Sequence, residues 1–359
     1  MIKLDEIYSK IHRLGVEHLK LSWTLYTTGY DFGIQKQYEQ LVDALKDEKA
    51  FEIVKEYYEQ ELSPVEARKA ELVFNTFKPY HQSKELNELN MAIQTKTNEL
   101  SKVLNTFRFQ FGGKEVSSVE LNQVLNSEDD RKLREEAYLA KNQINKALVD
   151  AGFIELINLR KEYARQYGSK DFISFKLEEN ELDSSIFENW LPQLHEILPA
   201  MKETRGRYAN EFLHDDRMFP WDEGYIDARI APALNESVDM SDYYENIDEL
   251  FQLFDIDIAK FNITYDIFPR ANKSEWGYNF PIENARDSRI LANVKNKYHE
   301  YGVLLHETGH AVHSFLLNPE EEILNKGVSG IISEGIANLF QGFLYSPVFY
   351  KKFFKDEAS

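Results

Sequence analysis

Apolar residues recur with the 3.6-residue period of a helix through most of the first half of the chain, where Pro and Gly are scarce. Ser63-Pro64-Val65-Glu66 combines an N-cap serine, a proline at the first helical position and the acid of a capping box, so a helix should begin there. The periodic run after it predicts one long helix, or two in sequence, to about Phe111, where Gly112-Gly113 ends it. The first half is therefore predicted to be mostly helical.

Capping residues and glycines predict further helix boundaries. Ser127 is expected to cap a helix that continues to the mid-140s. Gly152 is compatible with a bend before another helix, which should end near Gly168. Ser185 then opens the next helix.

The pattern changes between about residue 215 and residue 297, where prolines are more frequent and the apolar runs are shorter and alternate. Alternation of this kind is typical of strands, and it predicts three of them: Asn262–Phe268, Trp276–Phe280 and Arg289–Val294. The helical period returns from about Tyr298 to Asn318-Pro319, and a last helix should run from about Ile332 into Leu344. We therefore expect a helical region over residues 1–214, followed by a region over 215–359 that contains a small sheet.

Composition narrows the class of protein. With 43% hydrophobic and 29% charged residues, the chain has an ordinary globular composition. No run approaches the about 18 apolar residues of a membrane span, and the N-terminus has no signal-peptide pattern. The absence of cysteine excludes disulfides and thiolate metal sites, and we predict a cytoplasmic protein. The net charge of −19 argues against nucleic acid or anionic membranes as partners.

The predicted helix after Tyr298 contains His306-Glu307-Thr308-Gly309-His310, which is an HExxH pattern. Residues four apart lie on one helical face, so both imidazoles can reach a single ion. Glu307 projects beside that ion, where a carboxylate can take a proton from water. The segment therefore predicts a zinc site, with one ion per chain and Glu307 as the catalytic base.

A catalytic zinc ion needs a third protein ligand and one open position. Glu334 lies on the next predicted helix, 24 residues after His310, and is the best placed candidate. His313 shares the face of the two ligand histidines, but a packing or hydrogen-bonding role is expected because three ligands suffice. Asn338 is a candidate to orient a ligand histidine, or else an ordinary polar surface residue.

These residues resemble the zinc oligopeptidase family that includes thimet oligopeptidase, neurolysin and oligoendopeptidase F, which shares its fold with angiotensin-converting enzyme. The resemblance is dense from about residue 260 to residue 345. It rests on five segments: His306–His313, which is similar to the family's HExGHxxH signature, Tyr265–Lys273, Trp276-Gly277-Tyr278, Leu291-Ala292-Asn293 and Ser333-Glu334-Gly335.

The resemblance implies a mainly α fold, in which two helical lobes surround a deep channel and a small β-sheet lies beside the HExxH helix. It implies a metallopeptidase that acts on short unstructured peptides, with Glu307 as general base on a zinc-bound water. Gly277 and Tyr278 are the expected substrate-binding residues, because an extended peptide would pair with the strand that contains them. A hairpin glycine and a buried tyrosine are the alternative interpretation of this pair.

The chain departs from the family at two places. The run Glu334-Gly335-Ile336-Ala337-Asn338 is more similar to relatives of angiotensin-converting enzyme, which keeps a dipeptide-releasing carboxypeptidase as an alternative function. The sequence also stops at Ser359, 25 residues after Glu334, where family members continue through a helical segment. We therefore expect a C-terminal part of the fold to be missing, and a missing segment or complementary chain is a candidate partner. A zinc-holding fragment that binds peptides without turnover is a third hypothesis.

Overall fold

A computed structural model describes residues 2–230, 236–274 and 277–354 of the chain, which is mainly helical with small sheets. Contacts divide the chain into two compact units, Met1–Gln82 with Ala233–Ser359, and Ser83–Pro232. The predicted boundary between residues 214 and 215 followed a change in composition and stays a prediction, as does the channel between two lobes. Among the described residues, no helix is long and apolar enough to cross a membrane.

The unit formed by Ser83–Pro232 consists of helices and one short hairpin. Its helices are α5 (Lys84–Thr106), α6 (Ser118–Ser127), α7 (Arg131–Ala140), α8 (Gln143–Asp150), α9 (Phe153–Tyr167), α10 (Phe172–Glu179), α11 (Ser185–Leu213) and α12 (Glu223–Ile230). Its strands are β1 (Phe109–Phe111) and β2 (Lys114–Val116). Gly152 and Gly168 flank α9 with left-handed backbone conformations, as the sequence predicted.

Two predictions for this unit are wrong. The helical run ends at Thr106 rather than Phe111, because Gly112 and Gly113 have φ values of 58° and 72° and close the two-residue turn of the β1–β2 hairpin. Ser127 does not open a helix but ends α6, where its hydroxyl donates to the Gln123 carbonyl at 2.7 Å. The side chain of Asp130 caps α7 instead, since it accepts from the Lys132 N–H at 2.8 Å.

A buried charge network fixes α7 to the chain before α12. Asp222 is fully buried and accepts hydrogen bonds from Arg134 at 2.9 Å, from Arg131 at 2.6 Å and from the Phe219 backbone N–H at 2.9 Å. Burial alone would raise the pKa of Asp222, but these hydrogen bonds outweigh it and hold the pKa below its usual value. The carboxylate is therefore the charged partner of two guanidinium groups, one of them fully buried.

Replacing Asp222 with asparagine should lower the free energy of unfolding by about 2–3 kcal/mol at neutral pH, because the buried Arg134 charge loses its carboxylate. The pKa of Asp222 is lower in the folded than in the unfolded state, so this stabilisation is present above about pH 4 and is lost as the pH falls. Urea denaturation at neutral and acidic pH measures both effects. Asp216→Asn is the control, because that side chain is 84% exposed, and an equal effect of both variants would contradict the prediction.

The described part of the other unit begins and ends with helices. They are α1 (Ile2–Thr28), α2 (Ile34–Leu45), α3 (Glu48–Tyr58), α4 (Pro64–Phe77), α13 (Tyr243–Gln252), α14 (Glu300–Phe315), α15 (Glu322–Asn325), α16 (Gly330–Gln341) and α17 (Pro347–Phe354). The predicted capping box before α4 is confirmed, with both Ser63 and Glu66 bonded to the opposite backbone N–H. Short 3₁₀ turns follow α4 and α16, at Lys78–Tyr80 and Gly342–Tyr345.

A three-stranded sheet in this unit consists of β3 (Ile263–Asp266), β4 (Tyr278–Glu283) and β5 (Asp287–Leu291). The order is β3-β5-β4, with β5 parallel to β3 and antiparallel to β4. The three predicted strands are confirmed in position, although Trp276 lies outside the described residues. Within the described ranges β4 pairs with β5 alone, so it has one free edge. On its buried face, Phe280 and Ile282 pack with Val16 and Trp23 of α1.

Lys273, part of the family-like segment, joins the ends of β3 and β5. Its side chain is fully buried, and its ammonium group donates to the carbonyls of Asp266, Phe268 and Ala292 at 2.8, 2.9 and 2.5 Å. The Asp266 carboxylate lies 3.0 Å from the same ammonium group and also pairs with Arg270 at 2.5 Å. A buried lysine is tolerated here because its charge is neutralised and its three N–H groups are bonded.

The helix α14 lies at the centre of the largest apolar core. Tyr301, Leu304, Leu305 and Val312 are fully buried on it and belong to one cluster with Phe340 of α16. On the same helix, the buried Thr308 hydroxyl bonds to Tyr243 at 2.8 Å and to Tyr265 at 3.1 Å. Packing and these hydrogen bonds therefore fix the rotation of α14 about its axis.

Candidate metal centre

The helix α14 presents His306 and His310 on the face opposite to the core. Their Nε2 atoms lie 3.2 Å apart, as expected for two imidazoles one helical turn apart that point to the same place. Both side chains are partly buried, with exposed fractions of 21% and 16%. The HExxH spacing therefore gives the convergence that the sequence predicted.

Glu334 on α16 completes the group. Its Oε2 lies 3.5 Å from His306 Nε2, and its Oε1 lies 3.6 Å from His310 Nε2. Donors held at about 2.0–2.1 Å in a tetrahedral zinc site are separated by about 3.4 Å, so these three distances fit one ion between the side chains. The structure thus brings together all three predicted ligands, which form a group of potential metal donors.

The other ring nitrogens of both histidines have hydrogen-bond partners. His306 Nδ1 lies 3.1 Å from Gln341 Oε1, and His310 Nδ1 lies 2.9 Å from Ser333 Oγ. With the Gln341 amide oxygen as acceptor, His306 would donate from Nδ1, which leaves its Nε2 lone pair to face the donor group. Burial lowers the pKa of His310, which favours the neutral form that can bind a metal.

Sequence reasoning did not find Gln341 and Ser333, and Asn338, its candidate for this role, is exposed. Gln341 lies seven residues after Glu334 on the same helix, two turns away, and that spacing was the available signal. Ser333 directly precedes Glu334, and its one signal was that it belongs to a segment that resembles the oligopeptidase family. His313 lies in the wall of the adjoining cleft and is not part of the donor group formed by the described residues.

Changing Gln341 to leucine should lower the zinc affinity about 10–100-fold, because the acceptor that orients His306 and fixes its tautomer is lost. Competition with a chromophoric chelator measures the affinity. Asn338→Leu is the matched control on the same helix, because Asn338 is exposed. Equal zinc affinity of the wild type and Gln341→Leu would rule out this orienting role.

Glu307 lies next to the donor group but is not part of it. Burial raises the pKa of its carboxyl, and the nearby charge of Glu334 raises it further. His306 and a hydrogen bond from the Asn279 backbone N–H lower the pKa, but burial outweighs them. Gly277 is close by, since a Cβ atom on it would lie 4.0 Å from Glu307 Oε1. The site thus places a carboxylate of raised basicity between the metal donors and the strand β4.

A cleft of about 400 Å³ opens beside these residues. Its walls contain both predicted substrate-binding residues, Gly277 and Tyr278, and Tyr278 is 38% exposed. It continues past His313 to Asn284, Leu317 and Val328. The structure therefore places both predicted residues in the wall of one cleft, beside Glu307.

Close contact between α14 and α16 sets the distance between the ligands on the two helices. A Cβ atom on Gly309 would lie only 2.8 Å from the Cα atom of Ala337 and 3.3 Å from the Ile336 carbonyl oxygen. A Cβ atom on Gly302, two turns earlier on α14, would lie 2.9 Å from the Cδ2 atom of Leu344. Glycine is therefore required at Gly309 because another helix backbone occupies the space of a side chain.

A second cluster in this unit contains His12, Glu283 and Glu322. His12 Nε2 lies 4.0 Å from Glu283 and 3.8 Å from Glu322. The guanidinium group of Arg286 already bonds to both carboxylates, at 2.6 and 2.8 Å. We interpret the cluster as an ion-pair network, because its two negative charges have a cation between them.

No protein-family model and no curated protein matches this chain at a significant level. Solved structures do match. A protein described as oligoendopeptidase F from Bacillus anthracis superposes with a TM-score of 0.58 and 16% identity over 92% of this chain and 63% of its own. Pz peptidase A, solved with an inhibitor, superposes with a TM-score of 0.58 and 17% identity over 92% of this chain and 61% of its own.

The M32 carboxypeptidase from Deinococcus radiodurans gives a TM-score of 0.59 and 13% identity over 94% of this chain and 59% of its own. The chain therefore spans about three fifths of the length of these structures. At such identities the likeness concerns the fold alone. On that evidence the chain has the oligopeptidase fold that oligoendopeptidase F, Pz peptidase A and M32 carboxypeptidase share, as the sequence resemblance predicted.

Proposed function

We propose that this chain is a zinc metalloendopeptidase that hydrolyses short, unstructured peptides. The observation that carries the proposal is the convergence of His306, His310 and Glu334 to tetrahedral donor distances, with the partly buried Glu307 carboxylate beside them in an open cleft. The shared oligopeptidase fold supports it.

The donor set fits zinc. Two neutral imidazoles and one carboxylate are the ligands of many catalytic zinc sites, which keep a further position open. Here the Glu334 side chain is 60% exposed and all three donor residues line the cleft, so water and substrate could reach the site. When bound, a zinc ion would supply Lewis acidity toward the scissile carbonyl and toward the attacking water.

We assign to Glu307 both proton transfers of peptide hydrolysis. Its carboxylate would accept the proton of the attacking water and deliver it to the amine that leaves. Burial makes the carboxylate more basic than an exposed glutamate, which favours the first of these steps. The Asn279 N–H bond holds one carboxylate oxygen in place between the strand and the metal donors.

The substrate would bind as an added strand along the free edge of β4. Successive residues of a strand direct their peptide groups to opposite edges, and the Asn279 N–H points to Glu307, away from β5. The carbonyls of Asn279 and Pro281 should then face the cleft, where they could accept from substrate N–H groups. Gly277 and Tyr278 would contact the peptide near the cleaved bond.

A carboxypeptidase is the second candidate. The fold likeness to the M32 carboxypeptidase and the run after Glu334 favour it. An enzyme that removes C-terminal residues must recognise a free carboxylate, whereas an endopeptidase tolerates a blocked C-terminus. The two functions therefore differ in a measurable way.

Cleavage of a mixed pool of short peptides with free and amidated C-termini, followed by mass spectrometry, tests the proposal. The chain is compared as prepared, after chelation, and after the return of zinc. We expect internal cuts in both sets, lost on chelation and restored by zinc. Cuts confined to free C-termini would favour the carboxypeptidase, and bound zinc without any cleavage would favour the zinc-holding, peptide-binding fragment.

A further inference from the structure

The cleft beside the metal donors continues into a second pocket that the proposed chemistry does not use. We call it the far pocket, and its walls include Asn284, His313, Leu317, Asn325 and Val328. Asn284 directly follows β4, His313 lies on the last turn of α14, and Asn325 ends α15. Three elements of one unit therefore border the far pocket.

Asn325 contributes a hydrogen-bond acceptor to the far pocket. The residue is only 9% exposed, and its amide nitrogen donates to the Asn318 carbonyl at 2.8 Å. Because a backbone carbonyl can only accept, this bond fixes the orientation of the amide group. No described residue donates to the Oδ1 atom of Asn325, and a buried acceptor is costly unless water or a ligand binds it.

Asn284 contributes the complementary donor. The Ser314 hydroxyl donates to Asn284 Oδ1 at 3.2 Å, and the Ala285 N–H donates to the Ser314 carbonyl at 3.0 Å. These two bonds hold the turn after β4 against α14. With the amide oxygen of Asn284 as the acceptor from Ser314, its two N–H groups, which meet no acceptor within the described ranges, are left for a ligand.

His313 is a further polar residue of the far pocket. Its ring is partly buried and has no hydrogen-bond partner in the part of the chain that the structure describes. Burial lowers the pKa of His313, which favours the neutral ring that donates with one nitrogen and accepts with the other. The acidic residues of the described cleft wall, Glu307 and Glu334, lie at the metal end. The far pocket thus offers donors and acceptors without a charged side chain.

A carboxamide side chain matches this set of groups. Its N–H groups can donate to Asn325 Oδ1, its oxygen can accept from Asn284, and its methylene groups can pack on the apolar part of the wall. A carboxylate has no N–H to donate to Asn325, and the net charge of −19 disfavours it further. An ammonium group has no acceptor for the Asn284 N–H groups, and it would find no carboxylate in the described wall of the far pocket.

The far pocket lies within reach of a side chain near the cleaved bond. His313 and Leu317 are three and seven residues after His310, which places them about 5 and 10 Å further along the axis of α14. Since an extended peptide advances about 3.3 Å per residue, this span corresponds to about two or three residues. The strand β4 follows the same direction, because Asn279 bonds to Glu307 at one end and Asn284 to Ser314 at the other.

We propose that the far pocket is a specificity subsite, which binds the side chain of a glutamine or asparagine of the peptide substrate. Asn325 would accept from the carboxamide N–H groups, and Asn284 would donate to the carboxamide oxygen. The subsite presupposes the peptidase function proposed above, but the two can fail separately because binding is measurable without turnover.

Quenched fluorescent peptides that differ at one residue test the subsite on the full chain loaded with zinc. Glutamine, glutamate and methionine, which have similar shapes, are placed in turn at each of the three residues on either side of the cleaved bond. At one of these positions we expect kcat/KM for glutamine to exceed that for the other two about 10–100-fold, because they leave polar groups of the pocket unpaired. Cleavage without such a preference at any position would overturn the subsite and leave the peptidase function intact.

Asn284→Asp changes the donor of the far pocket with little change of shape. The carboxylate can still accept from Ser314, but it offers the substrate an acceptor and a negative charge instead of N–H groups. We expect the preference for glutamine over methionine to fall about tenfold or more, and lysine to become the preferred residue at that position. A general disturbance of the fold would lower the cleavage of all peptides alike.

Asn338→Leu is the control, because Asn338 is an exposed residue of α16 and lies outside the described cleft wall. This variant should keep the preference of the wild type. An Asn284→Asp variant with the same preference for glutamine would overturn the assignment of the far pocket.

Fluorescence anisotropy of the same peptides, labelled and added to zinc-loaded Glu307→Gln, measures binding without turnover. We expect the glutamine peptide to bind about 10–100-fold more tightly than the glutamate and methionine peptides. Selective binding of the glutamine peptide without cleavage by the wild type would support the subsite and contradict the peptidase function. Equal binding of the three peptides, or no binding of any, would overturn the subsite.

Discussion

Replacing Glu307 with glutamine should reduce peptide cleavage about 10²–10⁴-fold while leaving the zinc content unchanged. The amide has the shape of the carboxylate but cannot accept a proton from water. Its oxygen can still accept from the Asn279 N–H, so the side chain should keep its place. The turnover of a quenched fluorescent peptide measures cleavage. Elemental mass spectrometry measures the zinc content of the same sample.

Glu245→Gln is the matched control, because Glu245 is an exposed residue of α13 in the same unit and forms no part of the cleft. It should retain the activity of the wild type. Full activity of Glu307→Gln would exclude Glu307 as the base, even with zinc bound. Loss of zinc from that variant would mean that the carboxylate supports the donor group, so the two possible failures are distinguishable.

The parts of the site that the sequence predicted depend on local geometry. His306 and His310 converge because four residues make one helical turn, and this holds wherever the helix is placed. The cap at Ser63 and the strand before Lys273 also follow from rules that involve only near neighbours. Glu334 needed one further assumption, that the next predicted helix packs on α14, and the family resemblance agreed with that choice.

The parts of the site and fold that the sequence did not predict depend on contacts between distant residues, or on which of two neighbouring residues caps a helix. Gln341 is 35 residues from His306, and its two-turn spacing from Glu334, the one local signal, does not show that its side chain reaches a ligand histidine. At the start of α7, Ser127 was the predicted cap, but Asp130 lies nearer the first free N–H groups of the helix and caps it instead. By contrast, the dipeptide Gly112-Gly113 is typical of a hairpin turn. The long helical run before it favoured a helix up to about Phe111 instead of the strand β1.

Replacing Gly309 with alanine should lower peptide cleavage about a hundredfold and also lower the free energy of unfolding by about 1–3 kcal/mol. The added methyl group would meet the Ala337 backbone at 2.8 Å, and a backbone atom of a packed helix cannot rotate away. The two helices must therefore separate, which moves Glu334 relative to His306 and His310. Zinc affinity, cleavage and urea denaturation should all respond.

Gly335→Ala separates this effect from the general consequence of a new methyl group. Gly335 lies on α16 next to Glu334, yet no described atom lies within 4 Å of the place that its Cβ atom would take, and alanine favours helix by about 1 kcal/mol over glycine. That variant should be as stable as the wild type or more so, and should bind zinc equally well. If Gly309→Ala kept both zinc affinity and activity, the contact between α14 and α16 would not set the donor geometry, and the positions of the three ligands would have to be maintained by the hydrogen bonds of Gln341 and Ser333 alone.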